Sequence, residues 1–357
     1  MPVHPARACA SALLLRVAQQ GALAQSNVKI YGVADTGLLL TRHDGNAMAK
    51  VESGIGATSR LGFTGTEDLG GGLAAAFLFE GTVRTDTGAV GGNTVQGENS
   101  FFNRQSNVSL KSREWGELTL GRQIPAQVSP ALDTFAGVTG FSPYASLSSI
   151  GKDQGAGASI GDSRISRAIS YQTPQRFPLG ATVLAGTRNS VAPGFPRASA
   201  YGAEVHYTND RLILQAHYMA NHTDPTATLA SFRNEWWGLG AQYRWDSVTV
   251  GYIFNALVPR QAGYPNSQTH ALGFTIPYGV HTIRISSVWR AVQGRSDLNS
   301  FALGLGYDYA LSKRTVLYAR AGHVANRRNA IATMAGAALA KPGDDLPVTA
   351  LGVYTRF

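Results

Sequence analysis

The sequence is poor in several features that mark common protein classes. It has one cysteine in 357 residues, Cys9. A single cysteine so close to the N-terminus leaves no disulfide framework and no thiolate metal site. Charged residues make up only 15%. No Lys/Arg run and no basic–aromatic platform occurs, which argues against nucleic acid as a partner despite the formal net charge of +9. No apolar stretch nears the roughly 20 residues that a membrane-spanning helix requires. The longest, around Leu73 to Phe79, is far shorter. Gly-x-Ser-x-Gly, His-Glu-x-x-His and phosphate-binding loops are all missing, so nothing here reads as an enzyme. The eight histidines are scattered. His206 and His217 fall on adjacent predicted strands, but a pair is short of an ordinary metal site. No cofactor is expected. The missing spanning helix says nothing against a β-barrel, whose strands cross a bilayer in about 9–11 residues with every backbone group paired between strands.

What the chain does have is glycine, at 41 residues, and strict alternation. The last stretch is the clearest. Thr349, Leu351, Val353, Thr355 and Phe357 share one face, and Ala350, Gly352, Tyr354 and Arg356 share the other. That is a strand ending on an aromatic residue. The same period of two recurs from Val28 onward. Val28, Ile30, Gly32, Ala34 and Thr36 oppose Lys29, Tyr31, Val33, Asp35 and Gly37. Leu212, Leu214, Ala216, Tyr218 and Ala220 oppose Ile213, Gln215, His217, Met219 and Asn221. Phe301, Leu303, Leu305, Tyr307 and Tyr309 oppose Ala302, Gly304, Gly306 and Asp308.

Short turns such as Asp68 to Gly72, Arg113 to Gly116 and Asp246-Ser247 alternate with longer connections. His43 to Thr58, Asp86 to Phe101, Ile124 to Gly161 and Asn326 to Asp345 read as loops. Aromatics gather at strand ends: Trp115, Trp237, Trp245, Tyr278, Tyr309 and Phe357. Counting the runs predicts an all-β, 16-stranded antiparallel transmembrane β-barrel with short turns on one side, loops on the other and aromatic girdles. The glycines on the mixed face read as the lining of a water-filled lumen that needs no packed core. Residues 1–24 read as a secretory leader, an imperfect one. Arg7 gives it positive charge, Ala10 to Val17 is mostly apolar, and Ala22-Leu23-Ala24 is a small-x-small cleavage site. The barrel domain then covers residues 25–357.

Several stretches resemble the general diffusion porins of Gram-negative outer membranes, in their β-proteobacterial branch. They are Val28 to Asp35 (VKIYGVAD), Ser59 to Leu73 (SRLGFTGTEDLGGGL), Gly116 to Gln123 (GELTLGRQ), Arg164 to Tyr171, Leu311 to Thr315 and the terminal strand ending in Phe. They span the mature chain in the family's order. The resemblance implies a homotrimer whose third loop folds into the lumen. It also implies a terminal Phe357 read by the barrel-assembly machinery, with outer-membrane lipid and lipopolysaccharide as surroundings. The Ile124 to Gly161 segment stands where that loop belongs, although Gly140 to Tyr144 is not the family's acidic tip.

A diffusion channel works by geometry plus a field, so wall charges are the candidate functional residues. Parity places Arg60, Arg164, Arg284 and Arg290 inward, and Arg60 and Arg164 also resemble the family's constriction arginines. Arg104 and Arg122 share parity with apolar neighbours and follow as secondary candidates, turned inward only by a bend at Gly121 or a bulge. Asp35, Glu80 and Asp308 point inward. Glu80, with loop residues Asp133 and Asp153, is expected to balance the arginines across the pore. The sequence thus reads as a passive channel for small hydrophilic solutes and ions, weakly anion-selective. A substrate-specific channel, using Tyr31 or Tyr144 with Trp289 outside by parity, is the alternative. A structural or adhesive barrel is a weaker one.

Overall fold

The computed structural model describes residues 27–43, 46–93, 99–136, 139–159, 164–175, 178–188 and 198–357. The expected leader, residues 1–24, lies outside them. The strands are β1 (Asn27–His43), β2 (Asn46–Ser53), β3 (Arg60–Gly70), β4 (Leu73–Thr82), β5 (Gly92–Asn93), β6 (Asn99–Ser100), β7 (Gln105–Ser112), β8 (Gly116–Gln123), β9 (Ile165–Gln172) and β10 (Leu179–Thr187). The second half adds β11 (Ala198–Thr208), β12 (Leu212–His222), β13 (Arg233–Trp245), β14 (Val248–Pro259), β15 (Ser267–Tyr278), β16 (His281–Val292), β17 (Ser300–Ala310), β18 (Thr315–Asn326) and β19 (Leu346–Arg356). Among the described residues there is one α-helix, α1 (Pro143–Ser148).

All strands but the β5–β6 hairpin join one antiparallel sheet. It closes because β1 pairs with β19 in a continuous register from Val33 opposite Arg356 to Thr41 opposite Val348. On its other side the 17-residue β1 pairs with β2 along its upper half and β3 along its lower half, so β2 and β3 share one position. Among the described residues this makes a closed barrel of 16 strand positions. Closure leaves no unpaired edge, which is what lipid demands of a sheet.

The pairing corrects one expectation. His43 to Thr58 is not simply a polar loop: Asn46–Ser53 pairs with β1 as far as Thr36 opposite Ser53. Among the described residues of this stretch only 54–59 leaves the sheet. That excursion is fixed by the buried Asp35 carboxylate. It accepts from the backbone N–H of Ile55 (2.8 Å), Gly56 (3.1 Å) and Ala57 (3.0 Å), and from the Tyr318 hydroxyl (3.1 Å).

The two faces of the sheet differ as alternation requires. Leu303, Leu305, Leu351, Val353, Ile283 and Trp289 are exposed, while Ala302, Ser286, Val288, Arg290 and Ala350 between them are buried. An exposed apolar band is unfavourable in water and costs nothing in hydrocarbon. Trp115, Trp245, Tyr278 and Phe357 stand out at the turn end, at 61%, 75%, 80% and 56% exposure. That is where an aromatic belt meets the membrane interface.

The inner face is not the uniformly wet lining expected from its glycines. The segment between β8 and β9 runs back along it, and glycines give it room. A Cβ on Gly240 would lie 2.5 Å from a Leu132 methyl, and one on Gly304 2.7 Å from Pro143. One on Gly306 would lie 2.7 Å from Phe135, and one on Gly322 2.9 Å from Phe141. Val128, Leu132, Phe135, Phe141 and Leu147 are thereby buried with wall residues Ile253, Ala271, Val288, Ala302 and Val324. The hydrophobic effect that elsewhere builds a core here holds a loop against the wall. Gly306→Val should therefore displace Phe135 and cost about 1–3 kcal/mol through overpacking. Thermal unfolding of the refolded barrel should show a lowered midpoint, with an altered single-channel conductance. An unchanged conductance would mean that the segment does not rest on this glycine.

Candidate functional site

The segment is held at several points, each by chemistry that an irregular chain must find for its backbone. At its start, Val128 N–H donates to His217 Nδ1 (3.2 Å) and Ser129 N–H donates to Gln215 Oε1 (2.6 Å). Both acceptors project inward from β12. Farther on, Thr134 C=O accepts from Arg284 Nη1 at 2.6 Å. Gly140 N–H reaches Gly54 C=O (2.9 Å), Phe141 N–H reaches Ile55 C=O (3.3 Å), and Gly140 C=O takes Ala335 N–H (2.8 Å). The 54–59 excursion, the segment and the last long loop are stitched together there. The helix α1 follows, capped by Ser142 Oγ, which accepts from Ala145 N–H. On the way back Asp153 forms a bidentate pair with Arg290 at 2.8 and 2.9 Å. These two side chains are 4% and 1% exposed.

Between this segment and the opposite wall lies a cavity of about 610 Å³. Arg60, Glu80, Arg104 and Arg164 line it from the wall side. Gln127, Thr139, Tyr144 and Ser148 line it from the segment. Glu80, on β4, organises the basic side. Its carboxylate meets Arg104 Nε at 2.6 Å, Arg60 Nε at 3.3 Å and the Tyr31 hydroxyl at 2.9 Å. Tyr144 lines the cavity from α1 and accepts from Asn255 Nδ2; burial, then the Asp133 carboxylate, push its hydroxyl pKa up. A second recess of about 140 Å³ adjoins on the other side of Arg60. There Arg284, Arg320 and Arg356 face one acid, Asp308. Asp308 accepts from Arg284 Nε at 2.8 Å and Arg320 Nη2 at 2.6 Å.

The structure sorts the sequence candidates. Arg60, Arg104, Arg164 and Glu80 come together at the cavity. Arg104 precedes β7, and its N–H bonds to Glu80 C=O (3.1 Å), so its side chain does not follow the strand parity. Arg122 is not among the lining residues. The positive φ of Gly121 (125°) and the register shift between Gly121 and Gln123 turn it to Asn103 C=O (2.7 Å) and Ser166 Oγ (2.6 Å). Asp133 and Asp153 do not stand across the pore from the arginines. Asp133 accepts from Ser142 Oγ at 2.8 Å within the segment, and Asp153 is taken up by Arg290. Glu80 lies on the same wall as Arg60 and Arg104. Sequence reasoning passed over Arg320 and Arg356, although parity with Tyr318 and Tyr354 puts both on the inner face.

The lumen is thus a narrowed aqueous passage, basic on one wall and packed on the other. Among the described residues no group of acidic, His or Cys side chains could hold a metal. A profile of the Gram-negative porin family matches residues 10–329. Outer membrane porin protein 32 of Delftia acidovorans is 30% identical over 88% of this chain and 89% of its own. An outer membrane porin protein of Bordetella pertussis is 26% identical over 88% of this chain and 93% of its own. An anion-selective porin from Comamonas acidovorans superposes with a TM-score of 0.80 at 25% identity, covering 93% of this chain and all of that one.

The Asp153–Arg290 pair predicts a measurable consequence. Asp153→Asn leaves Arg290 buried without its counter-charge and should destabilise by about 3–5 kcal/mol. Limited proteolysis in detergent should then cut the 124–164 segment at a protease concentration that leaves the wild type intact. Equal resistance would show that the pair does not hold the segment.

Proposed function

The chain belongs to the Gram-negative porin family, and from that premise we propose that its arginine wall makes an outer-membrane diffusion channel prefer anions. It is a passive channel for small hydrophilic solutes and ions, carried by a multi-pass β-barrel in the bacterial outer membrane. The family and the fold are those of channels, and we take the chain to have no catalytic activity. The observation that carries the anion preference is the charge count at the passage. Arg164 aside, the larger cavity has Arg60 and Arg104 against Glu80, and the adjoining recess has Arg60, Arg284, Arg320 and Arg356 against Asp308. Each acid is already shared between two arginines. The surplus charge is positive, and low-dielectric walls focus its field into the lumen. Arg290, neutralised by Asp153 and shut from water, contributes packing in place of field.

Further features of the reading rest on family membership. We propose a homotrimer, recognition of Phe357 by the barrel-assembly machinery, contact with lipopolysaccharide, and export through residues 1–24. Phe357 supports its part. Its ring lies over Gly32 of β1, and its N–H and C=O exchange hydrogen bonds with the Gly32 backbone at 3.2 and 3.1 Å. The last residue therefore takes part in closing the barrel.

Single-channel recording under a KCl gradient tests the selectivity. The wild type should show open steps with a reversal potential favouring chloride. Arg60→Gln with Arg164→Gln removes two wall charges, each worth about 0.5 kcal/mol in a screened aqueous pore. The chloride-to-potassium permeability ratio should fall about fivefold, the factor that about 1 kcal/mol in total gives. Glu80→Gln should move it the other way. A wild-type preference for potassium would overturn the assignment.

A further inference from the structure

On the outer face, at the loop end of β13 and β14, one charged cluster interrupts the apolar surface. Arg233 opens β13 and Arg260 follows β14, and Arg260 N–H donates to Arg233 C=O at 2.7 Å. Both guanidiniums converge on Glu235. Arg260 Nη2 lies 2.6 Å from Oε2, and Arg233 pairs with Oε1. Arg233 Nη1 also donates to the Tyr201 hydroxyl of β11 at 3.3 Å. Alternation fixes the direction. Trp237 and Leu239, on the same face of β13, are exposed, while Asn234 is buried on the other face and donates to Gly157 C=O of the luminal segment at 3.1 Å. The cluster therefore faces away from the lumen, toward lipid, above the outward-facing Trp237 and Tyr218.

Its charges do not cancel. Glu235 is 4% exposed, so its carboxylate is spent on its partners. The Arg233 and Arg260 side chains remain 40% and 55% exposed. Two cations against one acid leave a surplus positive charge on the rim of an apolar band. An uncompensated cation at a hydrocarbon boundary is costly. The anions available at that level are headgroups of the leaflet on the loop side, and a guanidinium fork suits a phosphate in geometry and charge. We propose that Arg233 and Arg260, aligned by Glu235, form a binding site for a phosphate of the phosphorylated glycolipid in the outer leaflet. The proposal deepens the lipid-partner reading above and rests on the outer-membrane placement.

The test uses purified protein in detergent, incubated with diphosphoryl lipid A or with phosphatidylglycerol, and reads retained lipid by native mass spectrometry. Arg260→Gln leaves Glu235 paired with Arg233 and removes the surplus charge. Lipid A retention should drop about tenfold, the size of one charge-assisted contact. Glu235→Gln leaves both cations unmatched and should retain lipid A at least as well as wild type. If Arg260→Gln does not fold, Arg233→Gln reads the same quantity. Equal retention by the arginine variant, loss of retention in Glu235→Gln, or equal retention of phosphatidylglycerol by wild type would each overturn the site. So would loss of a higher oligomer in Arg260→Gln with lipid retention unchanged, since the cluster would then be a contact between copies. Reversal potentials measured on the same samples separate this result from the selectivity reading, because the cluster does not line the lumen.

Discussion

Everything in this molecule depends on the hydrogen-bonded closure between β1 and β19. A sheet in hydrocarbon cannot leave an edge, because each unpaired backbone group costs several kcal/mol with no water to satisfy it. The register from Val33 to Thr41 against Arg356 to Val348 removes that edge. Once the sheet is closed, its two faces become two environments. Outward positions are solvated by lipid and carry Leu, Val, Ile and aromatic side chains. Inward positions enclose a space that is either water or protein. Where an inward residue lies around the circumference then decides what it can do.

That space is divided unevenly. Along β12 to β18 much of the wall is glycine and small or apolar residues, with Arg284, Arg290, Asp308 and Arg320 set among them, and the luminal segment rests on it. Along β1, β3, β4 and the start of β7 the wall is polar and basic, and the passage remains open there. Arginine serves both halves in different ways. Arg290 is 1% exposed and its charge is cancelled at close range by Asp153, so it acts on structure. Arg60 has a side chain 28% exposed beside a shared acid, so it keeps a field that a passing ion can feel. Burial and the number of partners decide the role.

Much of this was legible in the sequence. Period-two alternation correctly put Leu303, Leu305 and Trp289 outside and Asp35, Arg284, Arg290 and Asp308 inside. The turn glycines and strand-end aromatics gave the barrel its ends. The errors came where the period breaks. β2 was missed because its outward face, Ala47, Ala49 and Val51, is made of small side chains and gives only a weak alternation with Met48, Lys50 and Glu52. Arg104 escaped parity because it lies just outside the ladder, and Arg122 because a bulge at Gly121 shifts the count. The luminal segment has no period at all. Its position follows from missing side chains on distant strands, and the glycines at 240, 304, 306 and 322 look the same in sequence whether they face water or Phe135.

The order of the chain gives the segment's resting place one more consequence. The segment emerges between β8 and β9, yet the strands it rests on, from β12 to β18, all come later. When it is first made, only the earlier 54–59 excursion is there for it to lie against. Its contacts are among the most non-local in the molecule, and such contacts form late because the intervening chain must be ordered first. Narrowing of the passage is therefore a final event of assembly. A barrel that stalls with its C-terminal strands unplaced has neither a closed wall nor a constriction, and the two defects arise together.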